Sequence, residues 1–126
     1  MVNGERLKNY KFPESGTLTS TTGGILAPVY TSNPLNGMLQ SIQYNYNNTT
    51  NTGSLYVFES GTGILLDTQL SFAADTVSYP RVAVTDNAAG AISNGFTERA
   101  LMENIYVTGS GLGSAKNITS VEVRYK

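Results

Sequence analysis

Catalysis needs residues that can ionise, coordinate or attack, and this chain has few of them. It contains no histidine and no cysteine. Ser-His-Asp and Cys-His nucleophilic sites, Cys/His zinc sites, haem ligation by those residues and any disulfide framework are therefore excluded. The acids are Glu5, Glu14, Glu59, Asp67, Asp75, Asp86, Glu98, Glu103 and Glu122. Glycoside hydrolysis requires only two carboxyl groups at a suitable separation. Glu59 with Glu103 is the best couple, because both adjoin similar strand-like segments. Solvated strand carboxylates are the simpler reading, and no enzymatic activity is expected. Calcium takes oxygen ligands, which Asp67 with Asp75, or Asp86 with Asn87, would supply. No EF-hand spacing is present and ordinary Asx turns explain these residues, so neither metal nor cofactor is expected. Gly109-Ser110-Gly111-Leu112-Gly113-Ser114 looks like a phosphate loop but fails on detail. The dinucleotide fingerprint needs glycine where Ser114 stands, and Lys116 is followed by Asn117 rather than Ser or Thr.

Binding chemistry is better represented. The chain has eight Tyr, four Phe and no Trp. Tyr44 and Tyr46 alternate with Asn45 and Asn47, a pattern that suits a flat ligand-stacking platform or a Tyr/Asn interface. Tyr44, Tyr46 and Asn45 are the candidate ligand-binding residues. The competing reading buries the rings, Tyr44 first, and leaves their hydroxyls at the rim. A second candidate lies near the start, where Arg6, Lys8 and Lys11 are interleaved with Tyr10 and Phe12. Three cations beside Glu5 and Glu14 are too few to grip nucleic acid. They suit seating against an acidic neighbouring subunit, with Leu18, Ile25 and Leu26 as apolar contacts. Arg6, Lys8, Tyr10, Lys11, Phe12, Leu18, Ile25 and Leu26 form the candidate partner-binding set.

These residues must be held by a single domain, since the chain has 126 residues. Net charge is -1 and charged residues are only 13%, against roughly 25% in average chains. Fifteen Thr, twelve Ser and twelve Asn fill the deficit. Near-neutral charge disfavours a nucleic-acid partner. No apolar run is long enough for a transmembrane helix, so no membrane partner is expected, and Met1–Arg6 shows no signal-peptide pattern.

Residues 1–37 read as an extended N-terminal arm and edge segment, with a partly disordered tail as the alternative. Residues 38–126 read as a β domain. From Met38 the period is two: Met38, Ile42, Tyr44 and Tyr46 share one face, and Leu39, Ser41, Gln43 and Asn45 the other. Ser54 to Glu59 is a strand with large groups on both faces. Ile64–Leu66 and Leu70–Phe72 are short strand candidates around Asp67. Val77 to Thr85 alternates, with Pro80 marking a start, bulge or edge. Asp86 to Gly95 reads as a loop. Residues 96–107 are the only helix candidate, but alternation of Glu103, Ile105 and Val107 favours strand. Val121, Val123 and Tyr125 line one face of the last strand.

One internal echo stands out. LYVFESGTG from Leu55 matches IYVTGSGLG from Ile105 at an offset of 50, with Tyr56/Tyr106, Val57/Val107, Ser60/Ser110, Gly61/Gly111 and Gly63/Gly113 coinciding. It reads as a strand feeding a glycine-rich turn, used twice; chance in a Gly/Ser/Thr-rich chain is the alternative. Roughly seven or eight short strands with frequent turn signals predict an all-β, antiparallel, jelly-roll-like β-sandwich with an extended N-terminal arm. A small barrel is the runner-up.

Gly53–Gly63 (GSLYVFESGTG) and Asn104–Gly113 (NIYVTGSGLG), in a Thr/Ser/Asn-rich β chain without histidine or cysteine, resemble small structural proteins of tailed-phage virions, especially head decoration and minor capsid proteins. The resemblance is one of style over most of 38–126 and transfers no site residue. It implies a non-enzymatic capsid decoration or cementing component, assembled into the virion in the host cytoplasm. It also implies a homo-oligomer, a trimer before other clusters, that meets the major capsid protein or other virion subunits through its arm. The alternative is a carbohydrate- or receptor-binding β-sandwich module, for which the lack of Trp is unfavourable.

Overall fold

A computed structural model describes residues 7–46, 53–70, 74–85, 91–113 and 117–126. Among them every regular element is a strand and every pairing is antiparallel. The strands in chain order are β1 (Lys8–Phe12), β2 (Leu18–Thr19), β3 (Leu26–Tyr30), β4 (Gly37–Asn45), β5 (Ser54–Glu59), β6 (Leu65–Leu70), β7 (Thr76–Ser78), β8 (Arg81–Thr85), β9 (Ala91–Glu98), β10 (Ala100–Leu101), β11 (Ile105–Ser110), β12 (Asn117–Ile118) and β13 (Ser120–Tyr125). The first sheet has the order β1-β13-β4-β10, with β7 also on β4; the second has the order β3-β11-β5-β6. β2–β12 and β8–β9 form two small ribbons. Residues 96–107 are strand wherever regular, as their alternation predicts.

Both larger sheets feed one core. Phe12, Ile42, Tyr44, Val121 and Val123 enter it from the first sheet, and Leu26, Leu55, Val57, Ile105 and Val107 from the second. Two facing layers around one core are consistent with the expected sandwich. The alternation of the last strand holds, with Val121 and Val123 buried and Glu122 half-exposed.

The leading segment differs from the extended arm expected for 1–37. β1 pairs with β13 along its whole length, from Lys8 opposite Tyr125 to Phe12 opposite Val121. β2 pairs with β12, and β3 with β11. Phe12, Leu18 and Leu26 are core residues. The described strands before residue 37 thus contribute to the same core as those after it. The physical reason is burial: three large apolar side chains each gain about 1.5–3 kcal/mol by entering the core.

Other local departures have clear causes. Leu39 is fully buried, on the core side rather than the wet side. The register between β4 and β13 slips between Arg124 opposite Ser41 and Tyr125 opposite Leu39. Such a bulge inserts one residue and reverses the facing of what precedes it. Gln40 marks the insertion, and its side-chain amide donates to the Glu98 carboxylate. Ile64–Leu66 and Leu70–Phe72 were expected as two strands. Leu65–Leu70 instead form the single strand β6, which pairs with β5 through Asp67, whose carboxylate accepts from two hydroxyls. Pro80, lacking an N–H, separates β7 from β8. Ala91–Gly95, expected as loop, belongs to β9, which pairs with β8 at Ala91 and at Phe96–Glu98 with an irregularity between them.

If the leading strand belongs to the core, Phe12→Ala should lower stability by about 3–5 kcal/mol. Lys8→Ala, which loses only a contact of the ammonium with the Tyr125 ring at 5.4 Å, should cost about 0.5–1 kcal/mol. Urea unfolding of both variants checks this, and an unchanged midpoint for the Phe12 variant would return the segment to a free arm.

Candidate functional site

The echoed segments turn out to be neighbours. β5 and β11 lie side by side, with Val57 opposite Val107, Tyr56 opposite Thr108 and Phe58 opposite Tyr106. A local two-fold axis between the two valines therefore exchanges Tyr56 with Tyr106. The turns match only in part: Gly63 and Gly113 have φ +72° and +82°, values that favour glycine, but of Gly61 and Gly111 only Gly111, at +67°, does.

Alternation then fixes both faces. Leu55, Val57, Ile105 and Val107 point into the core, so Tyr56, Phe58 and Tyr106 point out. The neighbouring strands extend this row: Tyr30 of β3 stands opposite Tyr106 and Leu65 of β6 opposite Phe58. Ring centroids are 4.9 Å apart for Tyr30–Tyr106 and 5.2 Å for Phe58–Tyr106, with interplanar angles of 39° and 21°. Phe58 and Tyr106 are therefore stacked, while Tyr30 packs on Tyr106 at a tilt. The rings of the row thus pack against one another across the strands, and Tyr30, on the edge strand, keeps much of its surface exposed. Tyr30 is 53% exposed and Leu65 45%. Tyr56 joins the row 6.1 Å from Phe58.

Charge is kept off this face. β3 and β11 contain no charged residue, while β5 and β6 contain one each, Glu59 and Asp67. Glu59 is buried and accepts a hydrogen bond from Thr62 Oγ1 at 2.8 Å. Asp67 accepts from the Tyr44 hydroxyl and from Ser78 Oγ at 3.0 Å. The outer side of the first sheet is instead polar and internally bonded. There Glu122 accepts from Asn9 at 3.1 Å and from Asn45 at 2.9 Å, and Asn45 also donates to Ser120.

The sequence-derived candidates distribute unevenly. Tyr44 and Tyr46 are fully buried, their rings 6.0 Å apart, so they cannot form a ligand platform. Asn45 points the other way into the Glu122 network, as period two requires. In the partner-binding set, Phe12, Leu18 and Leu26 are core, whereas Lys8 and Ile25 are exposed and Tyr10 and Lys11 half-buried. Tyr10 donates to Glu14 at 3.0 Å, and Lys11 donates to the Pro13 carbonyl at 3.3 Å. Arg6 lies outside the described residues, as do Asp86 and Asn87. Asp75 accepts from the Tyr46 N–H at 2.9 Å, and among the described residues no three acids cluster to hold a metal. Glu103 lies over Gly61, where an added Cβ would come within 2.7 Å of its carboxylate. The residues missed were Tyr30, Tyr106, Phe58 and Leu65. The shared tyrosine of the echo was the signal that could have found them.

No protein-family model matches the chain, and no curated protein or solved structure matches it.

The buried phenols make a pH prediction. Burial, then the Asp67 carboxylate, raises the Tyr44 phenol above its ordinary value of 10.0. Burial, followed by Asp67 and Asp75, also raises Tyr46. With folded values above unfolded ones, their contribution is complete below about pH 10 and is lost as pH rises further. Stability from urea unfolding should fall above that pH by up to about 1.4 kcal/mol per unit for each buried phenol. Tyr44→Phe should flatten this limb. It should also cost about 1–3 kcal/mol near neutrality by taking a donor from Asp67. An alkaline limb identical in the variant would show that Tyr44 is not a protected phenol.

Proposed function

We propose that the chain is a jelly-roll protein serving as a non-enzymatic structural component of a virion, a capsid decoration or cementing subunit. Strand order supports the fold reading. Leaving aside the two-residue β10, the larger sheets hold eight strands. In chain order the first pairs with the last (β1, β13), the second with the seventh (β3, β11), the third with the sixth (β4, β7) and the fourth with the fifth (β5, β6). That is one long antiparallel hairpin rolled up, with β13–β4 and β11–β5 pairing joining the turns of the roll. Jelly rolls serve as capsid and as lectin domains, and a fold does not choose its function.

The observation that carries the assembly reading is the uncharged aromatic row on the second sheet. An uncharged row of partly exposed aromatic rings suits packing against another protein, and the lack of Trp is unfavourable for a sugar platform. The assembly contacts move accordingly from the supposed arm to the outside of the sheets. Lys8 and Ile25 remain exposed for the major capsid protein or another virion subunit. The second reading, a carbohydrate- or receptor-binding module, is favoured by the packing of the leading strands into their own domain.

Density-gradient fractionation of a lysate containing assembled particles, probed with an antibody to this chain, tests the proposal. The chain should travel with the capsids, and lysine cross-linking should join Lys8 or Lys11 to the major capsid protein. A chain that stays wholly with the unassembled proteins would remove the virion reading.

A further inference from the structure

We infer that the outer face of β3, β11, β5 and β6 binds the same face of a second copy of this chain, giving a two-fold dimer. This stands independently of the virion reading. The face is uncharged and largely apolar: Tyr30, Tyr106, Phe58 and Leu65 form one row, and beyond it Tyr56 lies between Thr108 and Thr68, with Leu70 (65% exposed) opposite Ser54. Apolar side chains grouped in this way mark an interaction surface.

Charge selects the occupant. In a two-fold contact, residues near the axis meet their own copies, so a charge there faces a like charge. This face avoids that cost. The only charged residues of its four strands, Glu59 and Asp67, are drawn inward and hydrogen-bonded to Thr62, Tyr44 and Ser78. The opposite sheet carries Lys11, Glu122 and Arg124 on its outer side and has no such neutrality. The row itself points the same way. A row of rings and tyrosine hydroxyls can interdigitate with an identical row, burying apolar area while the hydroxyls keep partners at the rim.

Sedimentation velocity of the full chain over a wide concentration range tests this, with circular dichroism and urea unfolding confirming that each variant folds. The wild type should show a monomer–dimer equilibrium. Tyr30→Lys, at the sheet edge where a long side chain can reach water, should weaken it about tenfold or more. Tyr106→Glu should act likewise, Tyr30→Phe should retain the dimer, and Arg124→Gln on the opposite sheet should leave it unchanged. If Tyr106→Glu does not fold, the Tyr30 variants decide. A monomer at every concentration, a trimer, or a dimer indifferent to Tyr30→Lys would overturn the inference. So would a monomer whose tyrosine fluorescence responds to cellohexaose or chitohexaose and loses that response in Tyr30→Lys, which would give the face to carbohydrate. A dimer formed by a chain that does not travel with capsids would leave this inference standing and remove only the virion reading.

Discussion

The structure depends on the register between β5 and β11. With Val57 opposite Val107, four aliphatic side chains, Leu55, Val57, Ile105 and Val107, enter the core together. Side chains in a strand alternate strictly, so a slip of one residue on either strand would exchange its inner and outer sets. Aliphatics worth about 1.5–3 kcal/mol each in burial would turn to water, and Tyr56, Phe58 or Tyr106 would be forced inward with hydroxyls to satisfy. The core and the aromatic row are therefore two sides of one choice. The row cannot be removed by repacking without disturbing what holds the sheets together.

A second constraint is the handling of Asp67. A carboxylate in the edge strand of an otherwise uncharged sheet is costly to bury unless it is hydrogen-bonded. Tyr44 of β4 and Ser78 of β7 both donate to it, so the same group ties the edge of the second sheet to the first. An inward-pointing charge also discourages further strands from adding at that edge. The consequence for the surface is indirect but strong. Because the carboxylate is used inside, the outer side of β6 is left to Leu65, Thr68 and Leu70, and association is steered to the face rather than the edge.

What could be read in the sequence was whatever alternation alone decides. Ser54–Glu59 and the inward Val121 and Val123 follow from period two, as does strand rather than helix around Ile105. Leu39 could not be read, because a bulge is set by pairing with Arg124 and Tyr125, far away in the chain. The leading segment failed for a related reason. Phe12, Leu18 and Leu26 sit among Thr, Ser, Gly and Pro with no periodic frame, and their partners β13, β12 and β11 come from the far end of the sequence. The aromatic face was half visible. β5 has large groups on both sides, and alternation separates the two sets without saying which is wet; only the position of the opposing sheet decides. Tyr44 and Tyr46 illustrate the converse, correctly grouped with Ile42 but buried with it.

The scarcity of charge bears on assembly as well as on the fold. On the virion reading, many identical copies stand close together, and each brings its own net charge to its neighbours. At -1 per chain the mutual repulsion is small, so even modest apolar contacts suffice to order a lattice. Solubility must then come from hydroxyl and amide groups, which are hydrated without creating long-range fields. The Thr, Ser and Asn content meets that need, and the outer side of the first sheet shows how: Asn9 and Asn45 both donate to Glu122. A surface of this kind is wet but electrically quiet. Against it, the one strongly apolar, uncharged row on the second sheet is where contact between copies would gain most, since neither charge nor tightly held polar groups must first be desolvated.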